Sequence, residues 1–181
     1  MNVMRLRTWP RYLQYFVAAF VVVGLAGYAA GLGYIAVVTG PSPEDVGDHY
    51  HGNEAEMSFG KSTGEMLTII HTHLLGMGVL FLAVGLLFAA SDFPTRLKGA
   101  VMVETMLTLF TTFGGLYVVS IGWRAWLWVV YPSSVLMVIG YLTMSVAILR
   151  SAFRPLSVPT SDDRDRLSSD AYRHESRVQQ S

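Results

Sequence analysis

The expected fold is all-α: a transmembrane four-helix bundle with both termini cytoplasmic and one long outer loop between the first and second helices. Three observations predict it. Four apolar runs each exceed the ~20 residues needed to cross ~30 Å of hydrocarbon. Charged residues make up 14% of the 181, against about 25% in a soluble domain. Basic residues collect at alternate gaps between the runs, as the positive-inside rule requires.

Residues 1–11 are a basic flank with Arg5, Arg7 and Arg11 beside Trp9. The first span is expected over 12–38. The apolar core of a signal peptide is only ~7–15 residues, so this longer run reads as an uncleaved span. Gly27 and Gly31 have the small-xxx-small spacing at which membrane helices approach closely, and are expected at a helix contact. Pro41 and Pro43 then stop the helix.

The outer loop, 39–62, carries Glu44, Asp45, Asp48, His49, His51, Glu54, Glu56 and Lys61, so acid outweighs base. Ser62-Thr63-Gly64-Glu65 has the form of a capping box and starts a second span over 63–90. A short basic turn around Arg96 and Lys98 leads into the third span, 97–121. Trp123, Trp126 and Trp128 mark an aromatic belt at the start of the fourth, 125–149. Residues 12–150 thus form one membrane domain, and 151–181 are expected as a disordered cytoplasmic tail. Arg5, Arg7, Arg11, Arg96, Lys98, Arg150 and Arg154 share one side of the bilayer under this topology, which makes that side cytoplasmic.

Composition removes several functions. There is no cysteine, which excludes disulfides, thiolate metal sites, iron–sulfur clusters and CxxCH haem attachment. Net charge is zero and no basic patch is present, so no nucleic-acid partner is expected. Neither a phosphate-cradling Gly-rich loop nor a nucleophile elbow occurs. The lipid bilayer is an expected partner, with other membrane subunits or further copies of the chain beside it.

Four of the five histidines fall between His49 and His73. Imidazole binds copper, zinc, iron and nickel, and carboxylates can complete the shell. His49 and His51 would lie on one side of an extended segment. Gly64, His71, Gly78 and Gly85 recur every seven residues and share a helix face, so His71 is expected to point into the bundle. His73 is roughly 200° away around the helix and is expected to meet the loop or the headgroup region. A copper or zinc site is therefore expected from His49, His51, His71 and His73 with Glu54, Glu56 or Glu65. Haem b fits less well, because the first, third and fourth spans contain no histidine; His71 and His73 are its candidate ligands. The alternative is that these side chains are simply hydrogen-bonded or solvated.

Glu104 lies inside the third span, where an ionised carboxylate is costly and therefore a functional candidate. Thr108 and Thr111 follow it at helical spacing, so the three form a candidate proton or ion relay. The alternative is a carboxyl hydrogen-bonded between helices, with the threonines bonded to their own helix.

The segments His49-Tyr50-His51-Gly52-Asn53-Glu54, Phe59-Gly60-Lys61-Ser62, Gly64-Glu65 and His71-Thr72-His73-Leu74 resemble an uncharacterised family of small bacterial four-helix integral membrane proteins. The resemblance covers residues 46–90. It implies a membrane topology in a bacterial inner membrane and assigns no catalytic role; with both termini cytoplasmic by the charge rule, loop 39–62 is expected to be periplasmic in a Gram-negative source. The leading expectation is an accessory subunit of a membrane electron-transfer complex, carrying a metal or redox-cofactor site and not an enzyme on its own. A cofactor-free structural or assembly subunit is the second expectation. A small proton-coupled transporter or channel using Glu104 is the third.

Overall fold

The computed structural model describes residues 5–40, 42–54 and 57–154. In chain order it contains α1 (Arg11–Thr39), α2 (Pro43–His51), a hairpin of β1 (Gly52–Asn53) and β2 (Ser58–Phe59), α3 (Thr63–Ala89), α4 (Thr95–Ser120) and α5 (Leu127–Phe153). Four of these helices are long and apolar enough to cross a membrane. Their ends fall within a few residues of the expected ones. α5 runs furthest past its expectation, to Phe153, and passes through Pro132. The tail from 155 onward, expected to be disordered, lies outside the described residues.

Local chemistry explains the helix starts. Ser62 Oγ accepts from the Glu65 amide at 3.3 Å, and Glu65 Oε2 accepts from the Ser62 amide at 2.8 Å. The capping box read from sequence is therefore present. A second box is an addition. Ser42 and Asp45 exchange the same two bonds, each 3.1 Å, and Pro43 occupies the first helical position, where its missing N–H costs nothing. The expected extended segment at His49–His51 is thus a helix, and α2 separates the two rings by about 200°.

α4 and α5 share the most extensive interface. A Cβ at Gly115 would meet Val130, and one at Gly140 would fall 2.8 Å from Glu104 Oε2, so these glycines set how closely the helices approach. Gly122 closes the α4–α5 turn at φ +108, a conformation open to glycine and strained for most other residues. Phe81, Val84 and Phe88 of α3, Val119 of α4 and Tyr141, Met144 and Ile148 of α5 are essentially solvent-free and form the core.

One end of the bundle is basic. There Leu6 N donates to the Ala90 carbonyl at 3.0 Å, and Asp92 N donates to Ser151 Oγ at 2.8 Å. Lys98 Nζ donates to the Ala89 and Ser91 carbonyls at 2.7 Å, a cation on the negative C-terminal end of α3. The opposite end carries α2, the hairpin and the α4–α5 turn.

α1 joins this frame through roughly its first two thirds. Val17 and Val21 are buried. Gly24 lies so close to α5 that a Cβ would fall 2.7 Å from Tyr141 Oη. Tyr28 packs on Tyr141 with ring centroids 4.9 Å apart. Beyond it, every residue from Ala29 to Val38 is exposed. Gly27 and Gly31, expected at a helix contact, have nothing within 4 Å of a built Cβ. The aromatic side chains below them, not the glycines, fix where α1 touches its neighbours.

Candidate functional site at the histidine-rich end

The buried face of α3 is defined by Met66, Phe81, Val84 and Phe88. His71 is five residues from Met66, about 140° around the helix, and it is exposed. The expectation that it points into the bundle is therefore corrected: large apolar side chains choose the packed face, while Gly64 has open space around it. His73 takes the inward position instead. Its ring is half-buried and stacks on Phe113 of α4, with centroids 4.5 Å apart and planes 25° apart. Its Nδ1 donates to the Ile69 carbonyl at 2.8 Å. The two histidines diverge, as two residues on one helix must.

In α2, His49 packs edge-on against Tyr50 at 5.0 Å between centroids. Partial burial, followed by the Lys61 ammonium, lowers the pKa of its imidazole below the ordinary value of 6.5. Tyr50 is buried, which raises the pKa of its hydroxyl. His51 points across to the α4–α5 turn, where its Nδ1 meets the Ser120 carbonyl at 3.1 Å. A carbonyl only accepts, so the proton sits on Nδ1 and the Nε2 lone pair is left over.

A latch beside His51 holds the loop to the bundle. Arg124 donates to Asp48 Oδ1, and Asn53 Nδ2 donates to Asp48 Oδ2 at 2.8 Å. Arg124 first and Asn53 second hold the Asp48 carboxyl below its usual range. Gly52, at φ +95, turns the chain from α2 into the hairpin. Neither Arg124 nor Asn53 stood out in the sequence, since their meeting depends on the α4–α5 turn folding over α2.

Among the carboxylates, Glu65 is committed to the Ser62 cap, and Glu54 is exposed. Glu56 lies outside the described residues. Among the described residues, no three His, Asp or Glu side chains gather closely enough to hold a metal ion.

Glu104 sits at the α4–α5 interface against Gly140. Its Oε2 is 3.5 Å from Thr105 Oγ1, while Oε1 is buried with no hydrogen-bond partner among the described residues. Thr108 donates to the carbonyls of Glu104 and Thr105, and Thr111 to that of Leu107. Both threonines thus bond within their own helix. The hydroxyl that crosses to α5 belongs to Thr112, 2.9 Å from Ser133 Oγ and buried with it. Its place one turn after Thr108 was a usable signal. Ser133 itself was hidden in an otherwise apolar run.

No curated protein and no solved structure matches the chain. One family model, described as a transmembrane helical domain, matches residues 40–158, the stretch from α2 through α5. With four membrane-length helices and that match over well over half its residues, the chain is an integral membrane protein and belongs to the Aq_1264_TM family of transmembrane helical domains.

Proposed function

We propose that the chain is a helical subunit of a larger membrane assembly, docking through the outward side of α3 and the uncovered last third of α1. The observation that carries this reading is His71. It is exposed about 12 Å along α3 by the 1.5 Å rise per residue. At that depth hydrocarbon offers no hydrogen-bond partner. Its neighbours Thr68 and Thr72 donate to the Gly64 and Thr68 carbonyls, whereas His71 has no hydrogen bond among the described residues. A polar side chain so placed is best satisfied by another helix. The partner is another membrane subunit or a second copy.

The basic end carries Arg5, Arg7, Arg11, Arg96, Lys98, Arg150 and Arg154, and the other carries Lys61 and Arg124. By the positive-inside rule the basic end is cytoplasmic, and the histidine-rich loop faces outward, into the periplasm of a Gram-negative bacterium. The test is native mass spectrometry from mild detergent. The wild type should carry further subunits, and His71→Leu should release a folded single chain. A wild type that is always a single chain would overturn the reading.

A second reading keeps the expected copper or zinc site, with redox work in the same assembly if the ion is copper and a structural role if it is zinc. His51 favours it: anchoring one ring nitrogen on a backbone carbonyl and leaving the other free is the usual arrangement of a metal-binding histidine. The remaining ligands would come from the partner, or from His49, Glu54 and Glu56 after the loop rearranges. His73 and Glu65 are already engaged, and a haem axis through His71 would need a partner's ligand. Elemental analysis and an optical spectrum of the intact assembly, repeated with His51→Ala, decide this. Metal that persists unchanged in the variant would remove His51 as a ligand. A proton path through Glu104, Thr108 and Thr111 rests on one unpartnered oxygen and ranks behind both.

A further inference from the structure

At the basic end, away from the histidines, a groove of about 480 Å³ opens between the α3–α4 turn and α5. Its walls are apolar, with Phe93 and Pro94 on one side and Leu142, Val146 and Ala147 on the other. Arg150 and Arg154 stand at its mouth. Both are exposed, and neither forms an ion pair among the described residues. The acid at the rim, Asp92, lies 4.0 Å from both Arg5 and Arg7. The rim is therefore net positive even with Asp92 ionised.

We infer that this groove binds one anionic phospholipid, with its phosphate on Arg150 and Arg154 and an acyl chain along Leu142, Val146 and Ala147. The chemistry requires an amphiphile. A free anion would leave the apolar wall unused, and a zwitterionic lipid, though it too has a phosphate, would set its own ammonium against the two arginines. The dimensions agree. Leu142 to Arg154 spans about 18 Å at 1.5 Å per residue, the order of an extended acyl chain. Arginine also suits a phosphate, since its planar fork donates two parallel hydrogen bonds. Basic pockets between membrane helices at the headgroup level hold anionic lipids by this combination. The inference is independent of the proposed docking face, which lies on α1 and α3.

The test uses the full chain in neutral detergent. Phosphatidylglycerol or phosphatidylcholine with identical acyl chains is added, and bound lipid is counted by native mass spectrometry. The wild type should retain phosphatidylglycerol about tenfold more than phosphatidylcholine. The Arg150→Gln/Arg154→Gln double variant should lose that preference, whereas Arg96→Gln should keep it. The Arg150→Lys/Arg154→Lys variant should retain part of it, which guards against misfolding as the cause of loss. Inorganic phosphate should not displace the lipid. Equal retention of the two lipids by the wild type would overturn the inference. A preference that survives the double Gln variant, or displacement by phosphate alone, would overturn it too.

Discussion

Replacing His73 by alanine should weaken the isolated chain, while the same change at His71 should not. The magnitude comes from what each ring touches. His73 stacks on Phe113 at 4.5 Å, and a ring pair of that kind contributes about 1 kcal/mol. Removing a half-buried ring leaves a gap between α3 and α4 worth about 1 kcal/mol more. No hydrophobic transfer term is added, because lipid is as apolar as the interior. His73→Ala should therefore cost about 2 kcal/mol. His71 is exposed, and His71→Ala should stay within about 0.5 kcal/mol. Unfolding of the purified single chain by dodecyl sulfate in mixed micelles, followed by tryptophan fluorescence and helicity, measures both. An His71→Ala loss equal to that of His73→Ala would refute the assignment of inward and outward faces, and with it the docking surface.

Further outcomes follow from other contacts. Gly140→Leu should separate α4 from α5, because its Cβ would meet Glu104 and Thr105; a loss of about 3 kcal/mol or more should appear in the same unfolding assay. Asp48→Asn should loosen the latch without disturbing the long helices, seen as faster amide exchange confined to α2 and residues 120–124. His49 is held below its ordinary value of 6.5, so the unfolded loop binds protons first as pH falls. Stability of α2 that is complete above about pH 6.5 should begin to decline as pH falls below that value, measured as exchange protection corrected for intrinsic rates; His49→Phe should abolish this first decline and leave the separate loss at still lower pH, below the ordinary Asp48 value of 3.8, where the latch carboxylate is protonated. Gly31→Leu should leave the single chain unchanged, since nothing lies within 4 Å of a built Cβ; native mass spectrometry should nonetheless show a weakened assembly.

The long helices were legible because hydrocarbon thickness imposes a length and the Ser62–Glu65 box imposes a start. α2 was also written in the chain. Ser42-Pro43-Glu44-Asp45 has a cap, a first-position proline and first-turn acids, yet proline was read only as a terminator. The side that α3 buries was not legible. Seven-residue spacing places Gly64, His71, Gly78 and Gly85 on one face but does not say which neighbour that face meets. Phe113 settles it, because its ring fills the place beside His73. Inter-helix register was equally hidden: the bond between Thr112 and Ser133 depends on the turn at Gly122 as much as on either helix.

The attachment of α1 has a mechanical consequence. Near its start, the Leu6–Ala90 hydrogen bond fastens the chain, and Gln14 Nε2 donates to the Trp9 carbonyl at 2.9 Å. At its finish, Thr39 is buried just before α2. Every residue between Ala29 and Val38 is exposed. A rod fastened at its start and bare over roughly its last third has room for a foreign helix alongside it without unthreading the rest of the bundle. The family match begins at residue 40, so the matched unit is the frame to which this rod is pinned.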